Sequence, residues 1–226
     1  MQEISSLRKI VAEKCAATLL GYKPASLFSL NRAKWADFDS LYPIIRNELL
    51  PFLSIRCLKK DRDSFLILVY RVEVLAELLS AREVRNFLAC YGYPKECLDI
   101  CSKYYSCNEN CSDCEQKAVF KQVELLINNI VYKLKSNKFP HEIGVFLGYP
   151  LCDVEAFIRC SGKEEKCIGP WKVYGDVEKA KERFELFAQA KQMILDFYIA
   201  DNSLATILLR PELSTFSKIS NVKNKD

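Results

Sequence analysis

The longest strongly apolar run in the sequence, Phe65–Tyr70, is short, and its shortness limits the fold more than any other feature. A helix that crosses a bilayer needs roughly 20 apolar residues, so an integral membrane protein is excluded. A continuous apolar run of strand length instead predicts a strand buried on both faces. Ile55–Leu58 precedes it, across the charged patch Lys59, Lys60, Asp61, Arg62 and Asp63. Two β-rich runs joined by a short polar turn predict a hairpin.

Most other apolar residues recur at helical spacing. Ile4, Leu7, Val11, Cys15 and Leu19 predict a helix over about 4–20, with Gly21 as its terminator. Ser26–Leu30, bounded by Pro24 and Asn31, reads as a brief strand. Asp39 or Ser40 is placed to cap a helix through Ile44, Ile45, Leu49 and Leu50 that stops near Pro51. Helices are expected over 72–80 and 82–91, the second ending at Gly92, and over 119–134. Residues 139–176 hold five of the seven glycines and three of the eight prolines, so the chain turns most often there. A strand at Trp171–Tyr174 then leads to a long helix with Val177, Ala180, Phe184, Phe187, Lys191, Ile194 and Tyr198 on one stripe.

Helices outnumber strands and do not alternate with them, which predicts an α+β fold, mostly helical with a small, mainly antiparallel sheet of about four strands. The expected organisation is a single globular domain over 1–210, with a cysteine-rich insertion at about 95–116 and a flexible polar tail at 211–226.

Charge and cysteine content narrow the function. Half of the 226 residues are hydrophobic and 33 basic residues nearly cancel 29 acidic ones, so wholesale disorder is excluded. A net charge of +4 is too mild for a nucleic-acid groove, which needs a concentrated basic face. The single histidine, His141, excludes zinc sites built from several histidines. Charged residues scattered through Met1–Leu20 interrupt the apolar stretch a secretory signal needs, which predicts a cytoplasmic protein. In a reducing compartment the eleven cysteines, an odd number, read as thiols or metal ligands.

Two blocks of sequence stand out. One is Phe139-Pro140-His141-Glu142-Ile143-Gly144-Val145-Phe146-Leu147-Gly148-Tyr149-Pro150, followed by Asp153-Val154 and Phe157-Ile158; the other is Trp171-Lys172-Val173-Tyr174-Gly175-Asp176. With Lys23-Pro24 and Val69-Tyr70-Arg71, they resemble the bacterial family catalogued as domain of unknown function 3793. The resemblance spans about residues 10–200 and implies an intracellular bacterial protein. It implies no activity.

The residues themselves suggest chemistry. Pro140 fits the opening position of a helix, which would place His141 and Glu142 in its first turn as candidate acid–base residues. Gly144 and Gly148 would allow close approach on one face. Strand alternation puts Trp171 and Val173 on one side and Lys172 and Tyr174 on the other. Arg71, Lys23, Tyr149, Trp171, Lys172 and Tyr174 are therefore candidate contacts for a small anionic ligand. The plainer reading keeps His141 hydrogen-bonded in the core, the tryptophan in the core and Arg71 paired with an acid.

The cysteines form a separate signal, because Cys97, Cys101, Cys107, Cys111 and Cys114 place five thiols in 18 residues. Cys101, Cys107, Cys111 and Cys114 are candidate ligands for zinc or an iron–sulfur cluster, against the alternative of ordinary thiols. No phosphate loop or dinucleotide fingerprint is present, so nucleotide hydrolysis is not expected. Three classes remain: a binder of a small anionic ligand or cofactor, possessing or lacking catalysis; a thiolate metal protein; and a non-catalytic module for a protein partner.

Overall fold

A computed structural model describes residues 2–50, 52–99, 113–136, 138–201 and 203–209. It confirms an α+β, mostly helical chain with antiparallel sheets, one of three strands and one of two. The chain forms two compact units. One combines the residues up to Arg71 with those from Glu178 onward, and the other is the intervening stretch Val72–Val177.

The first unit holds α1 (Gln2–Leu19), β1 (Ala25–Asn31), α2 (Phe38–Leu49), β2 (Ser54–Lys60) and β3 (Ser64–Tyr70). β3 lies between β1 and β2 and is antiparallel to both, with Tyr70 opposite Ala25 on one edge and Ser54 on the other. That central place explains its apolar sequence: Ile67, Leu68, Val69 and Tyr70 are all buried, so both faces of its second half are covered. The expected hairpin forms, with an irregularity between Cys57 and Lys59. α2 begins at Phe38, so Asp39 lies in its first turn and does not cap it.

The helix α8 (Val177–Asp201) and the short α9 (Leu204–Leu208) follow much later in sequence. Within this unit Leu7 and Val11 of α1, Ile45 and Leu49 of α2, Phe65, Ile67 and Val69 of β3, and Ala190, Ile194 and Tyr198 of α8 share one core. The predicted stripe on α8 needs one correction. Ala190 fills the core position, while Lys191 is exposed and pairs with Glu13 at 2.8 Å. A step of three and then four residues from Phe187 leads to Ala190 and Ile194, and it leaves Lys191 one position off the stripe.

The second unit holds α3 (Val72–Ser80), α4 (Arg82–Cys90), α5 (Asp113–Lys133), α6 (Ile143–Phe146), α7 (Leu151–Arg159), β4 (Cys167–Ile168) and β5 (Lys172–Val173). Leu75 and Leu79 of α3 and Val123, Ile127 and Ile130 of α5 are buried, and these two helices pack together. Gly92 and Gly148 both take a φ near +75°, the left-handed turn that ends a helix with little strain only at glycine. β5 is shorter than the predicted strand because its partner β4 offers only two residues for pairing. The expected alternation still holds: Trp171 and Val173 are buried, and Lys172 and Tyr174 are half-buried. Among the described residues, no helix is long and apolar enough to cross a membrane.

Candidate functional site

In the second unit, the two sequence blocks meet around Asp153. Pro150 opens α7 and sets Asp153 in its first turn, where the side chain is only 3 % exposed. One carboxylate oxygen accepts the indole N–H of Trp171 at 2.7 Å. The other accepts the backbone N–H groups of Tyr174 at 2.8 Å and Gly175 at 2.7 Å. A buried carboxylate is tolerated when its lone pairs are filled this way. Tyr149 and Trp171 stack with ring centroids 5.2 Å apart, and the Tyr149 hydroxyl donates to the Pro170 carbonyl at 3.2 Å. Packing is tight close by: a Cβ on Gly144 would lie 3.0 Å from Val154 Cγ2, and one on Gly175 would lie 3.2 Å from Cys152 Sγ.

The first block also differs from its expected geometry. α6 begins at Ile143 with Glu142 as its N-cap, so His141 and Glu142 precede the helix. The Pro140 and His141 carbonyls accept the N–H groups of Ile143 and Gly144 in the turn that leads in. Glu142 is 4 % exposed and receives the Lys133 ammonium of α5 at 2.7 Å. The same ammonium donates to the Tyr91 carbonyl at 2.5 Å and sits 4.6 Å from the Tyr93 ring centroid. The Tyr93 hydroxyl donates to Glu142 at 3.5 Å, and burial followed by the Glu142 charge pushes that phenol well above its ordinary range. Glu142 thus joins a buried ion pair that fastens α5 to the turn.

His141 is exposed, its ring 5.7 Å from that of Phe139 and 5.1 Å from that of Phe157. Phe157 also lies beneath the turn at Gly162, where an added Cβ would come within 3.1 Å of its ring. The Gly162 carbonyl accepts the Lys172 ammonium at 2.7 Å, and the same ammonium pairs with Glu165 at 3.2 Å. A chain of contacts therefore runs from His141 through Phe157 and Gly162 to Lys172. At its end, the Tyr174 hydroxyl oxygen is buried and has no hydrogen-bond partner. Burial first, and then the Glu165 charge, pushes that phenol upward and keeps its proton in place.

Arg71 and Lys23 belong to the first unit. The Arg71 guanidinium donates through Nε to the Thr18 carbonyl at 2.7 Å and through Nη2 to the Leu19 carbonyl. It thereby supplies a cation and donors to the end of α1, where unsatisfied carbonyls collect. Lys23 is half-buried, with its ammonium 5.7 Å from the Phe187 ring centroid.

The profile of the family described as Protein of unknown function (DUF3793) matches residues 11–208. The chain belongs to this family. No curated protein and no solved structure matches it.

The DUF3793 match takes in both blocks and both units. The candidate metal ligands Cys101, Cys107 and Cys111 lie outside the described residues, as does the side chain of Cys114. Among the described residues, no three His, Cys, Asp or Glu side chains gather as a metal ion would need. Sequence reasoning assigned no role to Asp153, Lys133 or Phe157, although each ties together segments of this family member. Asp153 had a visible cue, an acid three residues after a helix-opening proline and between the two blocks. Lys133 had none, since it sits at the end of an amphipathic helix where a solvated lysine is ordinary.

Proposed function

We propose that this protein binds a small anionic ligand on the Val72–Val177 unit, beside the junction of the two sequence blocks. The observation that carries the reading is the Tyr174 hydroxyl, a protonated donor removed from water with nothing to accept its hydrogen. Buried donors are almost always satisfied, and an orphan costs about 1–3 kcal/mol. A ligand oxygen would accept that hydrogen, and Lys172 on the same side of the ribbon, shared with Glu165, would supply the opposite charge. His141 and Phe157 border the same surface, where they would orient or exclude parts of the ligand. Arg71 and Lys23 are not assigned to this site.

Tyr174→Phe removes the hydroxyl and little else, which makes it the decisive variant. The full chain is purified without denaturation, weighed by native mass spectrometry for a retained small molecule, and screened by thermal shift against carboxylates and phosphate esters. The expected result is a ligand that binds the natural chain and is lost from Tyr174→Phe, whose stability without ligand is equal or higher. Undiminished binding in Tyr174→Phe, or no stabilising anion for the natural chain, overturns the reading.

A further inference from the structure

The chain brings a carboxylate of its own to the surface where the ligand is placed. Lys172 donates to two oxygens, the Gly162 carbonyl at 2.7 Å and the Glu165 carboxylate at 3.2 Å. A charge-assisted N–H···O bond ordinarily measures about 2.7–2.9 Å, so the neutral carbonyl holds this ammonium more closely than the opposite charge does. Both members of the ion pair keep contact with water, their side chains 35 % and 21 % exposed. Pairs of that kind contribute little, so Glu165 can leave at small cost.

Glu165 lies in the loop between α7 and β4, which is fastened on either side of it. The Lys163 N–H donates to the Cys160 carbonyl at 3.0 Å, and the Lys166 N–H to the Val173 carbonyl at 2.8 Å. Ser161 and Glu164 take φ of 51° and 66°, the left-handed region that residues with a Cβ adopt at a cost. Such strain persists where the surrounding structure imposes it, and it collects at ligand clamps. Here it lies directly before the residue that meets Lys172. Its own backbone N–H, and then Lys172, hold the Glu165 carboxyl below its usual range, so it stands there as an anion.

Glu165 satisfies Lys172 only. Its charge reaches the Tyr174 phenol, yet the hydroxyl hydrogen is left without an acceptor. A ligand carboxylate has two oxygens. With one on the Lys172 ammonium and the other on the Tyr174 hydroxyl, it would exchange one ion contact for an ion contact and a hydrogen bond. The exchange leaves the charge at Lys172 balanced. A second negative charge on the ligand would be opposed by Asp153, whose charge also reaches the Tyr174 phenol. Resting on the Tyr174 reading, we propose that the ligand is a carboxylate of single negative charge and that Glu165 is its internal competitor, released from Lys172 as the ligand binds.

Titration of the full chain with acetate and with inorganic phosphate, followed by heteronuclear NMR at pH 8 and at ionic strength held constant with chloride, tests it; the same spectra report whether each variant folds. Acetate binding is expected to tighten at least about threefold in Glu165→Gln and in Glu165→Ala, where no side chain is left to hold the ammonium. Glu164→Gln removes the same charge one residue away and should bind as the natural chain does. Phosphate should bind more weakly than acetate throughout. No gain in either Glu165 variant, an equal gain in Glu164→Gln, or tighter binding of phosphate than of acetate overturns the proposal. Tyr174→Phe and Lys172→Met, each added to Glu165→Gln, separate the two readings. Acetate binding that falls in both but never gained from Glu165→Gln removes the competitor alone, whereas binding indifferent to Tyr174 and Lys172 removes the underlying ligand reading with it.

Discussion

Replacing Asp153 by alanine should loosen the junction of the two sequence blocks by an amount that follows from its three hydrogen bonds. The carboxylate accepts from Trp171 Nε1 at 2.7 Å and from the Tyr174 and Gly175 N–H groups at 2.8 and 2.7 Å. Donors left without a charged acceptor lose roughly 1.5–3 kcal/mol each, or about 5–9 kcal/mol if independent. They are not independent. Tyr174 and Gly175 are half-buried, and water entering the vacated space can recover much of their loss. The Trp171 indole is 6 % exposed and recovers little. The expected destabilisation is therefore about 3–5 kcal/mol. Asp153→Asn keeps one acceptor oxygen but turns an amide donor toward other donors, so it should fall between the two. The sequence contains two tryptophans, Trp35 and Trp171, and a Trp35→Phe background isolates the second. Urea unfolding followed by its fluorescence measures the change. A loss below about 1 kcal/mol for Asp153→Ala would show that the carboxylate does not hold the blocks together.

Three further outcomes are expected. Lys133→Met leaves Glu142 buried without its cation and should destabilise by about 3–5 kcal/mol, whereas Lys133→Met with Glu142→Gln should regain much of that loss; additive effects in a double-mutant cycle by urea unfolding would contradict the pairing. Gly144→Ala forces a Cβ to within 3.0 Å of Val154 and 3.3 Å of Tyr149, so a loss of about 1–3 kcal/mol is expected, and an unchanged melting temperature would show that the helix can shift freely. For Lys23, the folded amine at about 8 sheds a proton that the unfolded chain, near the ordinary 10.5, still holds. Between those values the unfolded state binds more protons, so stability from this group rises with pH and its penalty is greatest below about 8. Lys23→Met should then be more stable than the natural chain at pH 7 in phosphate-free buffer, with the gap closing toward pH 10.5; a gap that stays constant refutes the desolvation of Lys23.

Periodicity made the framework legible because each element's own residues encode it. The apolar steps of α1 and α5, the run in β3 and the left-handed glycines Gly92 and Gly148 all report local backbone preference. The alternation of Trp171, Lys172, Val173 and Tyr174 survived even though only two of these residues form ladder pairs. What escaped was long-range pairing between polar side chains. Glu142 reads as a helix-end acid beside a histidine, yet it is claimed by a lysine nine residues upstream on another helix. Arg71 reads as a ligand fork, yet it reaches back 53 residues to the Thr18 carbonyl. Nothing in a one-dimensional pattern ranks one carboxylate or carbonyl above another as the partner of a given cation. The single histidine drew notice for its rarity, whereas burial and hydrogen-bond saturation placed the central role on Asp153.

The core that Leu7 and Val11 share with Ile194 and Tyr198 has an implication for the order in which this polypeptide is completed during translation. As the chain leaves the ribosome from its amino end, α1, α2 and the first sheet are made early, but their shared core must wait for a helix more than a hundred residues later to complete it. The stretch Val72–Val177 emerges whole in the meantime and is free to mature first. Until α8 arrives, the core built by α1, α2 and the sheet lacks the apolar side chains that α8 contributes, which makes that interval a period when this protein is exposed to aggregation and in need of a chaperone.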